Sequence, residues 1–155
     1  MAEDKTGTTA ARSEYISGFD RTMGFRLVAV TTDEVIVEYD VRPEHHQPYG
    51  IVHGGVHAAA IETACSTGAG FNALARGQAV VGIENHTSFI RAVRTGRIRV
   101  TATPLTRGRR SQLWEATARN EAGEIVSTGR VRLLCLEPGS DLAGQTIDRR
   151  PPAGS

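Results

Sequence analysis

Apolar and polar residues alternate along two neighbouring stretches near the start of the chain. Both stretches lie in FRLVAVTTDEVIVEYDV, residues 25–41, where a polar turn separates them. Because Val35, Val37 and Tyr39 stand at every second position, they share one apolar face of the second stretch. The pattern predicts a β-hairpin, and the residues before it, 13–24, predict a short helix.

A different pattern follows the hairpin. Residues 54–75 contain no proline, are rich in alanine, and place apolar residues at helical spacing, so we expect one long helix here. Four strand-like runs come after it. They are separated by the turn sequences RTG, RGR and EAG, and they span residues 79–90, 96–107, 111–120 and 124–136.

The order of these elements, β-β-α-β-β-β-β, predicts an α+β fold in which an antiparallel sheet wraps around one central helix. With 155 residues the chain has the length of one domain. Both ends are polar, without apolar periodicity. We expect one domain over residues 14–136, a disordered N-terminal tail at 1–13 and a disordered C-terminal tail at 137–155.

The net charge and the distribution of arginines indicate which kinds of binding partner the chain could have. The formal net charge is +1, so no global field favours nucleic acid or a membrane surface, and we expect neither as a partner. The stretch from Arg91 to Arg110 carries seven arginines and no acid. It suits either a solvated strand face or an anionic ligand such as a small phosphate. It contains no aromatic residue, which argues against a platform for stacked bases.

The cysteines and the hydropathy pattern bear on location. Cys65 and Cys135 are the only cysteines and have no metal-binding spacing, so we expect two buried thiols in a reduced, cytoplasmic protein. No segment has the apolar run of a secretory signal or a membrane span. Trp114, the only tryptophan, is expected in the core or at an interface.

The sequence HGGVHAAAIETACS, residues 53–66, carries the strongest chemical signal. A helix start leaves backbone N–H groups unpaired at the positive end of the helix dipole, where they stabilise an oxygen that gains negative charge. Glycine lets a reacting carbonyl approach closely. Glu62 follows Gly54 on the same helix, roughly 12 Å away along its axis. Antiparallel helices from two subunits could bring the two groups together, so we expect a homodimer.

Simpler interpretations of these residues exist. Glu62 could be structural, but an unpaired buried charge costs on the order of several kcal/mol, so a solvated or hydrogen-bonded carboxylate at a functional cleft is favoured. His53 and His57 have the spacing of a metal pair, but the glutamate of an HExxH motif is missing and Glu62 points elsewhere, so we expect no metal. The remaining histidines are expected to be exposed in loops or strands: His45, His46 and His86.

The order of elements and the pattern Gln47-x5-His53-Gly54-Gly55-x6-Glu62-x3-Ser66 together resemble the hotdog-fold acyl-CoA thioesterases of the PaaI and 4-hydroxybenzoyl-CoA type. The resemblance covers about residues 20–136. It implies the hotdog fold, thioester hydrolysis, and subunits that pair helix against helix.

The resemblance also implies a role for each residue of the pattern. Glu62 matches the helical acid that activates water or attacks the thioester, and Gly54 matches the residue whose N–H polarises the carbonyl. Gln47 matches a loop amide that orients the carboxylate or the water. His53 matches the histidine beside the carbonyl, and Ser66 matches a hydroxyl that positions the nucleophile.

Contacts with coenzyme A are implied by a second likeness. Gly108-Arg109-Arg110 resembles the Gly-Arg turn that meets the nucleotide in many relatives, while Ser88 and Arg91 lie near the position where others bind phosphate. Coenzyme A is part of the substrate in this interpretation, and no separate cofactor is expected.

The resemblance favours an aromatic acyl group, including 1,4-dihydroxy-2-naphthoyl, ahead of medium-chain or polyketide-derived groups. Apolar Ile and Val on the sheet face opposite the helix predict that dimers pair into a homotetramer. Two alternatives stay open: a hotdog protein that binds acyl-CoA or acyl-carrier without turnover or serves as a structural subunit, and a hotdog hydratase or dehydratase. The spacing of the pattern argues against the second.

Overall fold

The computed structural model describes residue 16 and residues 18–147. The expected N-terminal tail, 1–13, lies outside the described residues. Within them the chain forms two α-helices and eight strands: α1 Gly18–Met23, β1 Arg26–Val30, β2 Val35–Asp40, α2 Gly54–Leu74, β3 Ala79–Phe89, β4 Arg97–Arg107, β5 Ser111–Arg119, β6 Ile125–Leu136, β7 Asp141–Leu142 and β8 Gln145–Thr146. A 3₁₀ turn at Pro43–His45 lies between β2 and α2.

The first six strands form one antiparallel sheet in the order β1-β2-β4-β5-β6-β3. The predicted hairpin is β1 and β2, with Val30 opposite Val35. The α2 helix crosses one face of this sheet and packs against its strands. The α+β expectation, with an antiparallel sheet around one long helix, is therefore confirmed.

The core lies between α2 and the inner face of the sheet. Val35, Val37 and Tyr39 are fully buried there, as their alternation predicts. Trp114 on β5 is also fully buried, and a β-carbon added at Gly68 of α2 would collide with its ring. Small residues on α2 thus let the helix approach the sheet closely, which sets the depth of the site described below.

The outer face of the sheet carries charged side chains that pair between strands. Arg99 on β4 contacts Glu38 on β2 at 2.5 Å, and Arg130 on β6 contacts Glu115 on β5 at 3.5 Å. Its exposed large apolar residues are leucines, Leu105 and Leu134. Val81 is paired with Leu134 and shares its face. Ile36 alternates with Val35 and Val37, which face the core, so it also lies on this face, where it is buried. The expectation of apolar Ile and Val on this face is therefore confirmed for Ile36 and Val81.

Strand β3 forms one edge of the sheet. It spans 11 residues and pairs only with β6 among the described strands. Its side chains Ile83 and Phe89 are more than half exposed. A long edge strand with exposed apolar side chains is a template for pairing with another chain.

The segment after β6 differs from the expected disordered tail. Its described part, up to residue 147, contains the hairpin of β7 and β8. Ala143 and Gly144 join the two strands with φ values of 51° and 79°, and two successive residues of positive φ are typical of a type I′ hairpin turn. The stretch is too short for apolar periodicity to reveal it. Residues 148–155 lie outside the described part.

No helix within the described residues is long and apolar enough to cross a membrane.

Candidate active site

The α2 helix begins with a cap formed by His53. Its Nδ1 accepts a hydrogen bond from the Gly55 N–H at 2.8 Å, while its backbone is extended. The Gly54 N–H has no acceptor among the described residues. A β-carbon at Gly54 would lie 2.6 Å from the ring of Phe89, so glycine is required for this approach. The helix therefore presents a free backbone donor at its positive end.

The loop before α2 places Gln47 beside this donor. The Gln47 N–H donates to the Ile51 carbonyl at 2.8 Å, and the Gln47 carbonyl accepts from the Gly50 N–H at 2.9 Å. Gly50 has a φ of 72°, which favours glycine in this tight turn. Arg94 fastens the loop by donating to the Tyr49 carbonyl at 2.8 Å. Gln47 is thus held by backbone bonds on a rigid loop.

Gln47 and Gly54 line one cavity, which we call the mouth cavity. It has a volume of about 290 Å³, and its walls include Ile51, His57 and Phe89. Its lining combines an unpaired backbone donor, a side-chain amide and apolar surface. That combination suits a polar group attached to an apolar body.

Glu62 lies two turns further along α2 and is half-buried. Its Oε1 accepts a hydrogen bond from Ser66 Oγ at 3.1 Å, and its Oε2 accepts one from Asn85 Nδ2 at 2.9 Å. Asn85 also donates to the Ala58 carbonyl at 3.1 Å, and its own oxygen accepts from Thr87 at 2.6 Å. Two donors anchored to different elements therefore fix the orientation of the carboxylate.

The carboxylate lies against the backbone of β3 at Gly82. A β-carbon at Gly82 would overlap with Glu62 Oε1, so only glycine leaves room for this rotamer. One cavity of about 390 Å³ lies on the Ser66 side of Glu62, with Phe19 of α1 in its wall. Another, of about 420 Å³, lies on the Asn85 side. Glu62 is thus a hydrogen-bonded carboxylate at a cleft, as the sequence predicts.

The five residues assigned to catalysis fall into two groups on one chain. Gln47 and Gly54 line the mouth cavity, with His53 beside them as the helix cap. Glu62 and Ser66 line a different cavity, at the middle of α2. Within one chain the structure does not bring the donor and the carboxylate to a common point. This separation is the one expected from their spacing along the helix.

The spacing of His53 and His57 does not produce a metal pair. His53 is an exposed cap, whereas His57 turns into the core and its Nδ1 lies 2.9 Å from the hydroxyl of Tyr39. Burial lowers the pKa of His57 to about 4 and raises the pKa of Tyr39 far above its usual range. Both groups are therefore neutral at pH 7. Among the described residues, no three His, Cys, Asp or Glu side chains converge on a metal position.

The remaining histidines differ in part from expectation. His86 is exposed on β3, as predicted, and His46 is partly exposed and contacts the Arg94 carbonyl at 2.8 Å. His45 is fully buried, so its predicted exposure is wrong. It is held by the Arg42 N–H and lies 3.0 Å from the Met23 carbonyl. His45 thus joins the loop to the end of α1. The sequence did not predict this role, because the residues next to His45 are polar.

The residues assigned to coenzyme A occupy three separate places. Gly108, Arg109 and Arg110 form the exposed turn between β4 and β5. Arg109 contacts Glu137 at 3.3 Å, whereas the Arg110 side chain has no partner among the described residues. Ser88 points outward from β3 into a polar pit of about 350 Å³. Arg91 lines the mouth cavity and contacts Glu124 at 3.4 Å.

Three residues of the site escaped the sequence analysis: Asn85, Gly82 and His57. Asn85 and Gly82 come from β3, and only tertiary packing shows that they touch Glu62. Residues 84–88 of β3, ENHTS, are all polar, so no alternation of apolar and polar positions distinguishes Asn85 from its neighbours. His57 was considered only as a metal ligand. Its bond to Tyr39 depends on the packing of β2 under α2.

Comparison with known proteins agrees with this architecture. Residues 49–127 match the family model described as the thioesterase superfamily. The chain is 40% identical over 121 residues to the Mycobacterium tuberculosis protein named "Putative esterase Rv1847", covering 77% of this chain and 86% of that protein. It is 38% identical over 109 residues to the proofreading thioesterase EntH of Cronobacter turicensis, covering 70% and 79% of the two chains.

Solved structures show the same fold. The structure of the M. tuberculosis protein superposes with a TM-score of 0.74 at 36% identity, covering 86% of this chain and 98% of that one. The thioesterase HI1161 from Haemophilus influenzae superposes with a TM-score of 0.77 at 28% identity, covering 88% and 96%. The expectation of a hotdog fold is confirmed.

Proposed function

The chain belongs to the thioesterase superfamily and is a thioester hydrolase, and from this premise we propose that it hydrolyses acyl-CoA thioesters with Glu62 as its catalytic carboxylate. The observation that carries the proposal is the state of Glu62. It is half-buried between two cavities, and Ser66 and Asn85 hold its two oxygens. A carboxylate fixed in this way at a cleft is suited to take a proton from water or to attack a carbonyl carbon.

The reaction has two possible courses at this carboxylate. As a general base, Glu62 removes a proton from water while the water oxygen bonds to the thioester carbon, and the thiolate leaves and takes up a proton. As a nucleophile, Glu62 bonds to the carbon itself, and water then hydrolyses the anhydride. In both courses the carbonyl oxygen becomes negative. The Gly54 N–H, at the positive end of α2, stabilises that charge.

The remaining residues of the pattern position the reactants. Gln47 lies in the wall of the same cavity as Gly54, so its amide can orient the water or the carboxylate. Ser66 holds one oxygen of Glu62. His53 caps α2 through the Gly55 N–H, which keeps the donor at Gly54 free for the thioester.

The site is shared between two copies of the chain. Gly54 and Glu62 stand roughly 12 Å apart along one helix, too far to act on one carbonyl. Strand β3 is a long edge strand that pairs only with β6 among the described strands, and its residues Ile83 and Phe89 are exposed. Because Asn85 ties β3 to α2, pairing of two β3 edges brings the two α2 helices together. We propose a homodimer formed in this way, and a homotetramer in which leucines of the outer face, such as Leu105 and Leu134, are covered.

The coenzyme A part of the substrate is proposed to meet the basic residues outside the carboxylate cleft. Arg110 is an exposed guanidinium without a partner among the described residues, on the turn that also carries Gly108 and Arg109. Ser88 and Arg91 lie at the exposed end of β3 and just after it. An arginine pairs well with phosphate through parallel N–H groups.

The acyl group is proposed to be aromatic, within the PaaI and 4-hydroxybenzoyl-CoA type. Support comes from the apolar walls of the mouth cavity, where Phe89 and Ile51 could flank a ring. The protein is placed in the cytoplasm, in keeping with Cys65 and Cys135, which are both free and buried.

The decisive experiment measures thiol release from a panel of aromatic, medium-chain and short-chain acyl-CoA esters. Replacement of Glu62 by Gln is expected to lower kcat at least about a hundredfold, the scale of a positioned base or nucleophile. Thermal unfolding should be nearly unchanged. Glu34→Gln, at an exposed glutamate before β2, is the matched control and should keep full activity. Near wild-type turnover by folded Glu62→Gln would exclude the mechanism, and binding without turnover by the wild type would favour the non-catalytic alternative.

A further inference from the structure

Gln78, which lies between α2 and β3, is a buried polar residue that the mechanism above does not use. It is 1% exposed, and both polar atoms of its side chain are hydrogen-bonded. Its Oε1 accepts a bond from Arg76 Nε at 2.8 Å. Its Nε2 donates one bond to the Arg109 carbonyl at 3.1 Å and another to Glu137 Oε1 at 3.0 Å. Because a buried amide is costly unless its groups are bonded, these three bonds hold the side chain in one orientation.

The turn between β4 and β5 is fastened to the rest of the fold through its backbone carbonyls. Gly108, Arg109 and Arg110 are exposed in this turn. Cys135 on β6 donates its N–H to the Arg110 carbonyl at 2.9 Å, and its Sγ lies 3.7 Å from the Gly108 carbonyl. The carbonyl between them, that of Arg109, is held by Gln78. Gln78 therefore fixes the middle of the turn.

Gln78 also restrains the side chain of Arg109. The Glu137 Oε1 atom that accepts from Gln78 accepts from Arg109 Nε as well, at 3.3 Å. Arg109 is thus held directly at its carbonyl and, through Glu137, at its guanidinium. Its Nη1 and Nη2 atoms have no partner among the described residues, and the backbone N–H groups of Arg109 and Arg110 have no acceptor there. The turn keeps these donors available for an anionic group.

We propose that Gln78 is a positioning residue for the recognition of coenzyme A, because it holds the turn that carries Arg109 and Arg110 in the conformation that receives the phosphate groups of the substrate. The proposal rests on the proposed function, which places those phosphates at this turn. A loop that must be ordered on binding costs free energy, whereas a loop that is held in advance does not. Gln78 itself does not touch the substrate.

Binding of coenzyme A, measured by calorimetry, tests the proposal apart from turnover. Gln78→Met removes the donor and the acceptor of the amide and keeps a side chain of similar length. The Kd of coenzyme A should rise about tenfold, because the turn must then be ordered on binding. KM for acyl-CoA should rise in parallel, while kcat and the KM for acyl pantetheine esters change less than about twofold. If Gln78→Met binds coenzyme A as tightly as the wild type does, the proposal is wrong.

Failure of the proposed function would give a different result. A wild type that binds coenzyme A, loses this affinity in Gln78→Met, and releases no thiol from any acyl-CoA ester would contradict hydrolysis and support the positioning role. A wild type that does not bind coenzyme A at all would contradict both.

The matched control is Gln112→Met, at a second fully buried glutamine. Gln112 Nε2 donates to the Ala69 carbonyl and its Oε1 accepts from Trp114 Nε1, both at 3.0 Å, so its amide is bonded to the core. Both variants lose the bonds of a buried amide and should melt at a lower temperature. Only Gln78→Met should weaken the binding of coenzyme A. Equal weakening in the two variants would show a general loss of packing and overturn the proposal.

A double-variant cycle shows whether Gln78 acts through the arginines. In a chain that carries Arg109→Ala and Arg110→Ala, Gln78→Met should weaken the binding of coenzyme A by about twofold at most, because the groups that it positions are gone. A tenfold loss that persists in this background would overturn the proposal.

A measurement on the wild type needs no substitution. The nuclear magnetic resonance signals of the Gln78 side-chain amide should shift on titration with coenzyme A and stay in place on titration with pantetheine, which lacks the nucleotide. Unshifted signals in the presence of bound coenzyme A would contradict the proposal even if Gln78→Met fails to fold.

Discussion

The two ends of the catalytic stretch of α2 are built in opposite ways. At the mouth, Gly54 offers an N–H without an acceptor among the described residues, and Phe89 leaves no room for a β-carbon there. At the middle, both oxygens of Glu62 already have donors, from Ser66 and Asn85. The mouth therefore holds a hydrogen-bond donor without an acceptor, whereas the middle holds a carboxylate whose oxygens already accept hydrogen bonds and are fixed in position.

Under the proposed function, neither region is a complete site. An unpaired donor stabilises developing charge only if a reacting oxygen reaches it. A fixed carboxylate is effective only if the reacting carbon lies within hydrogen-bond or bonding distance. Because one rigid helix carries both groups, it also keeps them apart. The edge strand β3 touches both regions through Phe89 and Asn85. In the proposed dimer, pairing along this strand brings the two regions of different copies together.

The largest effect on kcat is expected from Gly82→Ala, which disturbs Glu62 in the middle of α2 and leaves the helix start at Gly54 unchanged. The new β-carbon would overlap with Glu62 Oε1, so the carboxylate must move. A displacement of about 1 Å in a catalytic group can lower the rate on the order of a hundredfold. We expect kcat for thiol release to fall by about that factor, with little change in thermal stability.

Gly68→Ala is the matched control for that substitution. Its β-carbon would meet the ring of Trp114 in the core instead of the carboxylate. Overpacking of this kind destabilises by about 1 to 3 kcal/mol, so the melting temperature should fall while kcat of the folded fraction is retained. If Gly82→Ala keeps full activity, the rotamer of Glu62 is not important for catalysis.

A smaller and more specific effect is expected at Asn85. Asn85→Leu removes the donor to Glu62 Oε2, and we expect kcat to fall about tenfold, in the range of one hydrogen bond to a charged group. Asn85→Asp places a second carboxylate beside the first. Because the two like charges repel each other, we expect kcat to fall further than it does in Asn85→Leu.

The matched control for Asn85 is Thr87→Val, which loses the hydroxyl that contacts Asn85 but leaves the bond to Glu62 in place. It should change kcat less than Asn85→Leu does. If Asn85→Leu and Asn85→Asp both keep the wild-type kcat, Asn85 does not act on the carboxylate.

The order of elements and the mouth of α2 could be predicted from sequence because both depend on local signals. Alternation gave β1 and β2, and the glycines after His53 indicated the helix start. Contacts made across the fold could not be read in this way. Asn85 reaches Glu62 over 23 positions, and His45 is buried through a bond to Met23 that its polar neighbours do not suggest. Such contacts depend on register and packing, which no short window encodes.

The smallest effect is expected outside both regions, at the turn between β4 and β5. Replacing either Arg109 or Arg110 by Ala should raise KM for acyl-CoA severalfold with kcat nearly unchanged, because phosphate binding acts alike on ground and transition states. Arg110 should matter more, since Arg109 already contacts Glu137 at 3.3 Å. For acyl pantetheine esters, which lack the nucleotide, both substitutions should leave KM unchanged. Equal KM values for wild type and both variants with acyl-CoA would place the phosphate site elsewhere.

The most direct test of the shared site mixes two inactive variants, Glu62→Gln and Gly54→Ala. Alanine at Gly54 would press on Phe89, 2.6 Å away, and disturb the backbone donor, whereas Glu62→Gln removes the carboxylate. The two proteins are dissociated and reassociated together, and exchange is verified by mass spectrometry of the mixed dimer. If each site takes Gly54 from one copy and Glu62 from the other, a mixed dimer has one intact site, and activity should return to about a quarter of wild type for random mixing. Verified exchange with no return of thiol release would contradict the shared site.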